Sequence, residues 1–384
     1  MRKYKVKEIV KEISERENSP STSVYKRFVG LEHYESGNVE IKQSGSVDRL
    51  ESAMKVFKDG DILIARRNVY LRRAGVVHFS GLTSGDSIVL RPINQEIKDI
   101  LPFVFNSDSF WDFANRFADG SMSKRLSPKT LMEYEFVLPE GIDLKQLTDL
   151  LWAAYDLKES YKKLLVASDE MAKSRFVEMF GDPVMNPHGW RNSSLLDFGE
   201  CKNGMNFGSN ESGISINCLG VSDFQNHSVI RNTEKLPQIH LNTPPRADYL
   251  LQDEDIVFVR SNGNKALVGR CVAVYPGNNP TVFSGFCIRF RQQIKVAKTS
   301  YLLSVLKSPS VRKQMAGRGA NIQNLNQQIL ASVKIPIPPM ELQNEFTAFI
   351  EQLDKSKIAL QKSIENLDAV IKNLLNKTFM EGAK

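Results

Sequence analysis

The chain has 384 residues, 41% of them hydrophobic, with 51 Lys plus Arg against 44 Asp plus Glu. That is enough material for two compact domains with connecting elements, and the net charge of +7 with a pI near 9.0 favours a polyanionic partner. No apolar run reaches the length of a membrane span, and the start, MRKYKVKEIVKEI, is charged and amphipathic without a signal-peptide core, so a soluble, cytoplasmic protein is expected.

In chain order, DILIAR (Asp61 to Arg66), GVVHF (Gly75 to Phe79) and DSIVLRP (Asp86 to Pro92) read as short strands bounded by glycine turns. A helical stretch follows from about Leu101 to Phe117, and a last strand ends in LPEG. From Asp143 to Phe180 there is neither Gly nor Pro. Leu150, Leu157, Leu164 and Met171 recur there at steps of seven, with Leu147, Ala154 and Tyr161 between them, which predicts a coiled-coil stripe. Gly181 to Pro183 stops that helix.

The same series then returns. Strands are expected at DIVFVR (Asp255 to Arg260), RCVAVY (Arg270 to Tyr275) and CIRFRQ (Cys287 to Gln292), a helical stretch from about Lys298 to Met315, and a last strand ending in IPIPP. A second long helix starts at Glu341, with Phe346, Leu353, Leu360, Leu367 and Leu374 at steps of seven and Ile350, Ile364 and Ile371 beside them. The return is a duplication. GDILIARRNVYLRRAG from Gly60 matches EDIVFVRSNGNKALVG from Glu254, SGDSIVLR from Ser84 matches SGFCIRFR from Ser284, and from Ala118 and Gly317 the register holds without a gap to the end of each copy. Its period of roughly 200 residues is too long for a solenoid, so each copy has its own core. The expected fold is α+β: two tandem-duplicated mixed domains joined by two long helices that form an antiparallel coiled coil about a pseudo-two-fold axis. The expected divisions are 1–142, 143–182, 183–340 and 341–384. Each helix, at about 38 residues, spans roughly 57 Å.

Cys201, Cys218, Cys271 and Cys287 all lie in the second copy with no close spacing. That excludes a zinc ribbon or redox pair and favours buried free thiols. His33, His78, His188, His227 and His240 show no metal-ligand spacing, so no metal is expected. Trp111, Trp152 and Trp190 read as packing residues, with Trp152 just off the helix stripe.

Two loops in each copy carry chemistry suited to nucleic acid. Arg66, Arg67, Asn68, Tyr70, Arg72 and Arg73 follow the first strand; Arg260, Ser261, Asn262, Asn264 and Lys265 follow its duplicate. Arginine pairs bidentately with guanine or phosphate and asparagine with adenine, so such a loop both holds and reads a groove. Ion pairing with Asp59 or Asp61 is the structural alternative. Before the last strand, Ser123, Lys124 and Arg125 beside Gly120 correspond to Asn321, Gln323 and Asn324 beside Gly319, a donor-rich turn against a glycine that allows close backbone approach. Leu126 and Leu325 are expected in the core.

These residues resemble the specificity subunits of type I restriction-modification enzymes. The resemblance rests on FVGLEHYESGNVEI (Phe28 to Ile41), GDILIARRNVY (Gly60 to Tyr70), SGDSIVLRP (Ser84 to Pro92), SRFVEMFGD (Ser174 to Asp182) and LLNKTF (Leu374 to Phe379), together with the duplication and the helices. It implies two target-recognition domains, each reading one half of a split double-stranded DNA target, and a helix pair that docks two modification (methyltransferase) subunits. It further implies no catalysis by this chain, S-adenosylmethionine bound on the modification subunits, and ATP and Mg2+ on the restriction and translocase subunits. The exposed polar face with Lys158, Glu159, Lys162 and Lys163 is the expected docking surface.

Other classes fit less well. An adenine methyltransferase needs an amide or acid, two prolines and an aromatic, and Thr243-Pro244-Pro245-Arg246 lacks the first and last. A nuclease needs clustered carboxylates and a lysine, imitated by Asp86, Glu96 and Lys98, but the duplicate has Phe286, Val296 and Lys298 there. A duplicated protein-only scaffold would explain the helices but not the paired basic loops.

Overall fold

Apolar residues on both faces of a strand call for packing on both sides of a sheet, and each copy builds that sandwich. The computed structural model describes residues 2–120, 123–208, 210–224, 228–316 and 324–380. It divides into two units, residues 1–163 with 360–384 and residues 164–359. Each long helix is thus shared between units instead of standing apart as a spacer.

In the first unit the main sheet has the order β1 (Val10–Ile13), β4 (Ser87–Pro92), β2 (Ile62–Ala65), β3 (Ala74–Val76), all neighbours antiparallel. Ile62, Ile64, Ile88 and Leu90 point into a core with Phe103, Phe110 and Trp111. The alternate residues Leu63, Ala65 and Val89 face Val29, Tyr34 and Phe57. A second sheet of five short strands, Arg16–Glu17, Met54–Phe57, Gly81–Thr83, Arg27–Val29 and Gly45–Ser46, covers that other face. The N-terminal segment, read above only as charged and amphipathic, supplies two strands: Arg2–Lys5 pairs with Glu135–Leu138, and β1 closes the main sheet.

The second unit repeats the plan with β5 (Gly199–Asn203), β8 (Cys287–Gln292), β6 (Asp255–Val259) and β7 (Cys271–Val274) in that order, plus a parallel edge strand Val229–Ile230. Its smaller sheet has three strands, Gln238–Leu241, Ile214–Leu219 and Thr281–Phe283. Asp61, 1% exposed, receives both Nε and Nη2 of Arg91 at 2.7 Å, and Asp255, also 1% exposed, receives those of Arg291 at 2.7 and 2.6 Å. The matched aspartates are therefore structural clamps between β2 and β4 and between β6 and β8. The cysteines are free thiols; Cys218, Cys271 and Cys287 are buried and Cys201 partly so. Burial pushes the Cys201 and Cys218 thiols up to about 12, which disfavours the thiolate.

The expected helical stretches are broken in both copies at one serine. Leu101–Val104 is followed by α1 (Asp108–Phe117), whose N-cap Ser107 accepts from Phe110 N at 3.2 Å. Thr299–Lys307 is followed by α3 (Pro309–Ala316) after Ser308, whose hydroxyl donates to Val305 O at 2.7 Å. In each copy the break falls at a serine whose hydroxyl donates to the carbonyl three residues back, Ser107 to Val104 O and Ser308 to Val305 O, both at 2.7 Å.

The long helices are α2 (Leu144–Phe180, 37 residues) and α4 (Met340–Met380, 41 residues). Within the second unit Lys357 bridges to Asp169 and Arg175 to Glu345, so numbering falls on one helix as it rises on the other: the pair is antiparallel. Leu147, Leu151 and Tyr155 pack with Leu375 and Phe379 in the core of the first unit, while Phe176, Phe180 and Phe346 pack together in the second. The end of each long helix therefore completes a core that begins in the other copy.

The α4 stripe faces inward: Phe346 and Ile364 are buried, and Leu353, Leu360, Leu367 and Leu374 are partly buried. In α2 the expected register is one residue off. Leu150, Leu157, Leu164 and Met171 are 51, 43, 50 and 52% exposed. The inward stripe runs instead through Leu147, Leu151, Ala154, Lys158, Tyr161, Leu165, Ser168, Ala172, Arg175 and Met179, at alternating steps of four and three. The reason is chemical. This stripe includes Lys158 and Arg175, whose charges are met by Asp368 and Glu345, so leucine content alone misplaces it.

Candidate nucleic-acid interface

The backbone brings three segments, far apart in sequence, to one corner of each unit. After β2, Arg66 N donates to Asp86 O at 2.9 Å and Arg66 O accepts from Leu126 N at 2.8 Å. After β6, Arg260 N donates to Phe286 O at 2.7 Å and Arg260 O accepts from Leu325 N at 2.8 Å. Hence the arginine that ends the strand is clamped between the turn before the next sheet strand and the loop before the last strand. Leu126 and Leu325 are fully buried anchors. The two loops singled out by sequence meet here, and the turns Ser84–Asp86 and Ser284–Phe286, which sequence did not assign to the site, form the third side.

In the first unit, Asp86 holds two guanidiniums at once, Arg67 Nη1 at 3.3 Å and Arg125 Nη2 at 2.7 Å, all three side chains remaining partly exposed. Asn68 adopts a left-handed conformation with φ 54°, donates its N–H to Lys124 O at 2.9 Å and accepts from Ser123 Oγ at 3.0 Å. Tyr70 projects at 62% exposure. Not every basic side chain faces outward. Arg72 turns to Asp108 at 2.5 Å, Arg73 donates to Leu31 O and Arg67 O at 3.1 and 3.2 Å, and Lys124 Nζ donates to Asn115 O at 2.7 Å. Burial pulls against the ionised form of Asp108, but Arg72 and Lys372 beside it outweigh burial and lower its pKa. The ion-pair alternative therefore holds for Arg72, with Asp108 in place of Asp59 or Asp61 as partner. Arg67, Tyr70, Ser123 and Arg125 make up the exposed group, with Asn68 half-buried among them.

In the second unit, Arg260 Nη1 donates to Gly285 O at 3.2 Å. Asn262 and Asn264 cap successive backbone amides, Asn264 N at 2.7 Å and Ala266 N at 3.1 Å, which leaves their amide nitrogens uncommitted by these bonds. Lys265 and Asn324 are exposed and Ser261 is partly so. Asn321 and Gln323 lie outside the described residues.

The charge cluster imagined for a nuclease does not assemble. Asp86 is engaged by Arg67 and Arg125, and Glu96 pairs with Arg2 at 3.2 Å. Among the described residues no three His, Cys, Asp or Glu side chains converge as a metal site, and no helix is long and apolar enough to cross a membrane. The helix face expected to dock partners is also less free than its composition suggests. Lys158 is 6% exposed against Asp368, and Glu159 receives Lys42 at 3.0 Å and Lys162 at 2.8 Å, which ties α2 to the adjoining domain. Trp152 is a packing residue, donating to Asp99 O at 2.9 Å and lying edge-on to Phe103.

Comparison with known proteins follows the same lines. Residues 187–367 match the model of the type I restriction modification DNA specificity domain. The chain is 29% identical over 140 residues to a Methanocaldococcus jannaschii protein assigned as the MjaX type I restriction enzyme specificity subunit, covering 35% of this chain and 32% of that protein. It is 25% identical over 203 residues to the StySPI specificity subunit of Salmonella potsdam, covering 50% and 42%. These alignments span about a third to two-fifths of the relatives' length. A solved type I system S subunit from M. genitalium shares the fold across 98% of this chain and 96% of its own, with a TM-score of 0.55 at 13% identity. The second copy thus matches the type I restriction modification DNA specificity domain, and the first copy repeats its main-sheet strand order and its aspartate clamp.

Proposed function

We propose that this chain is the DNA-specificity subunit of a type I restriction-modification complex, in which each unit reads one half of a bipartite duplex target. The observation that carries this is the repeated corner: the same backbone bonds at Arg66 and Arg260 hold loops whose outward side chains differ, Arg67 and Arg125 against Ser261 and Asn324. One scaffold with two sets of base-contacting groups suits two different half-sites. The net charge of +7 supplies the non-specific attraction to phosphate.

The chain itself is taken to be non-catalytic. S-adenosylmethionine would be bound by two modification subunits docked on α2 and α4, and ATP with Mg2+ by restriction and translocase subunits. The exposed leucines of the stripe not used in the helix pair, Leu150 and Leu157 among them, suit such docking better than the engaged Lys158 and Glu159. The test is retention on duplex DNA through 0.2 M salt, using the chain assembled with its modification subunit and a bipartite sequence taken from the methylated-base map of cells carrying both. Specific retention on that sequence supports the reading. Retention no better than on scrambled duplex removes it.

A further inference from the structure

The turn between the smaller and main sheets has one backbone and two chemistries. Asp86 N and Phe286 N each donate to the hydroxyl two residues back, Ser84 Oγ at 3.2 Å and Ser284 Oγ at 3.3 Å, and Ser87 N and Cys287 N close the turns at 3.1 and 2.8 Å. The first unit places at this position the carboxylate that holds Arg67 and Arg125. The second places a phenyl ring, 62% exposed.

An exposed ring is unremarkable on a loose loop, but this turn is fixed from three directions. Gly285 N donates to Met205 O at 2.7 Å, Arg260 N and Ser261 N both donate to Phe286 O at 2.7 and 3.3 Å, and Arg260 Nη1 reaches Gly285 O at 3.2 Å. A Cβ on Gly285 would lie 2.0 Å from Asn206 Oδ1, whereas one on Gly85 would meet nothing within 4 Å. The backbone under Phe286 is thus more tightly seated than that under Asp86. A pre-positioned aromatic at the rim of a polar loop loses little conformational freedom when something apolar covers it. In duplex DNA the apolar group presented beside hydrogen-bonding base edges is the thymine C5-methyl in the major groove.

Resting on the DNA-reading role proposed above, we infer that Phe286 is a specificity-determining residue of the second unit, packing its ring on a thymine methyl in that unit's half-site. Asp86 gives the first unit no such contact. It holds two guanidiniums ready for guanine or phosphate instead, so the two half-sites are read by opposite chemistries from the same turn.

The experiment uses the full chain assembled with its modification subunit and the bipartite duplex identified from its methylated-base map. Each thymine is replaced singly by deoxyuridine, which removes only the methyl group. The wild type should lose about fourfold in affinity at one thymine, the size expected for one buried methyl, and all other replacements should be near neutral. Phe286→Ala should bind the unmodified duplex about fourfold more weakly and lose nothing further on the uracil duplex, while Phe286→Leu should keep part of the sensitivity. A folded Phe286→Ala chain with unchanged affinity, or one that still loses about fourfold when the thymine is replaced by deoxyuridine, overturns the inference, as does a target in which neither half-site contains an A·T pair. If the wild-type assembly shows no preference for the bipartite duplex, the DNA-reading account itself fails and this inference with it.

Discussion

Lys158 of α2 is buried against the carboxylate of Asp368 of α4, its Nζ 2.9 Å from Oδ1. In the repeat register Lys158 corresponds to Lys357 and Asp368 to Asp169, and those two residues also bridge, in the second unit, at 2.5 Å. The duplication has made one ion pair twice, with each copy supplying the lysine of one and the aspartate of the other. A polar pair within a packed helix stripe fixes the register of paired helices at some cost in stability.

Lys158→Ala should therefore destabilise the first unit by about 1–2 kcal/mol, since Asp368 remains 57% exposed and stays hydrated. Lys158→Met, which keeps the stem and removes the charge, should cost less. Urea denaturation checks both. Equal losses would show that the charge pairing, not the packed stem, carries the contribution.

The stripe in α2 gives a sharper test. Leu151→Ala removes a fully buried side chain and should cost about 2–5 kcal/mol. Leu150→Ala and Leu157→Ala, at 51 and 43% exposure, should each cost under about 1 kcal/mol. Thermal or urea unfolding followed by circular dichroism distinguishes the two registers, and the opposite order of effects would restore the leucine stripe as the helix seam.

The contrast shows where sequence is legible. The duplication, three main-sheet strands of each copy and the ends of the long helices are readable because they depend on local pattern, namely alternation, glycine turns and the absence of Gly and Pro from 143 to 180. The N-terminal strands and the smaller sheets are not. Nor is the helix register, because two stripes share Leu147, Ala154 and Tyr161 and differ only in the third residue against the fourth. The leucines favour the wrong one, and only the partner helix reveals that Lys158 has Asp368 to meet. The same limit governs the site. Sequence found both basic loops, but the inward turn of Arg72 depends on Asp108 and the assembly of the corner on Asp86 and Phe286, contacts between segments that no local pattern joins.

The aspartates matched between copies, Asp61 and Asp255, are each a clamp on an arginine of the neighbouring strand. Asp255→Ala should strip Arg291 of a two-pronged partner and leave Gln252 N, 2.7 Å from Asp255 Oδ2, unsatisfied. The expected loss is about 2–4 kcal/mol in the second unit, read as earlier urea unfolding. If Asp255→Ala instead left stability intact and abolished only DNA binding, Asp255 would belong to the interface.

Under the proposed function each corner reads a different half of one target, a division open to test. Its most direct measurement is the methylated-base map of cells carrying the modification subunit with either the wild-type chain or Arg67→Ala/Arg125→Ala. These side chains end on Asp86 at an exposed corner, so the variant should fold as the wild type does. The predicted map keeps one half-site and the spacing unchanged and relaxes the other, at about 1–3 kcal/mol per lost base-specific contact. A map in which both half-sites relax equally, or in which neither changes, would contradict the assignment of one corner to each half.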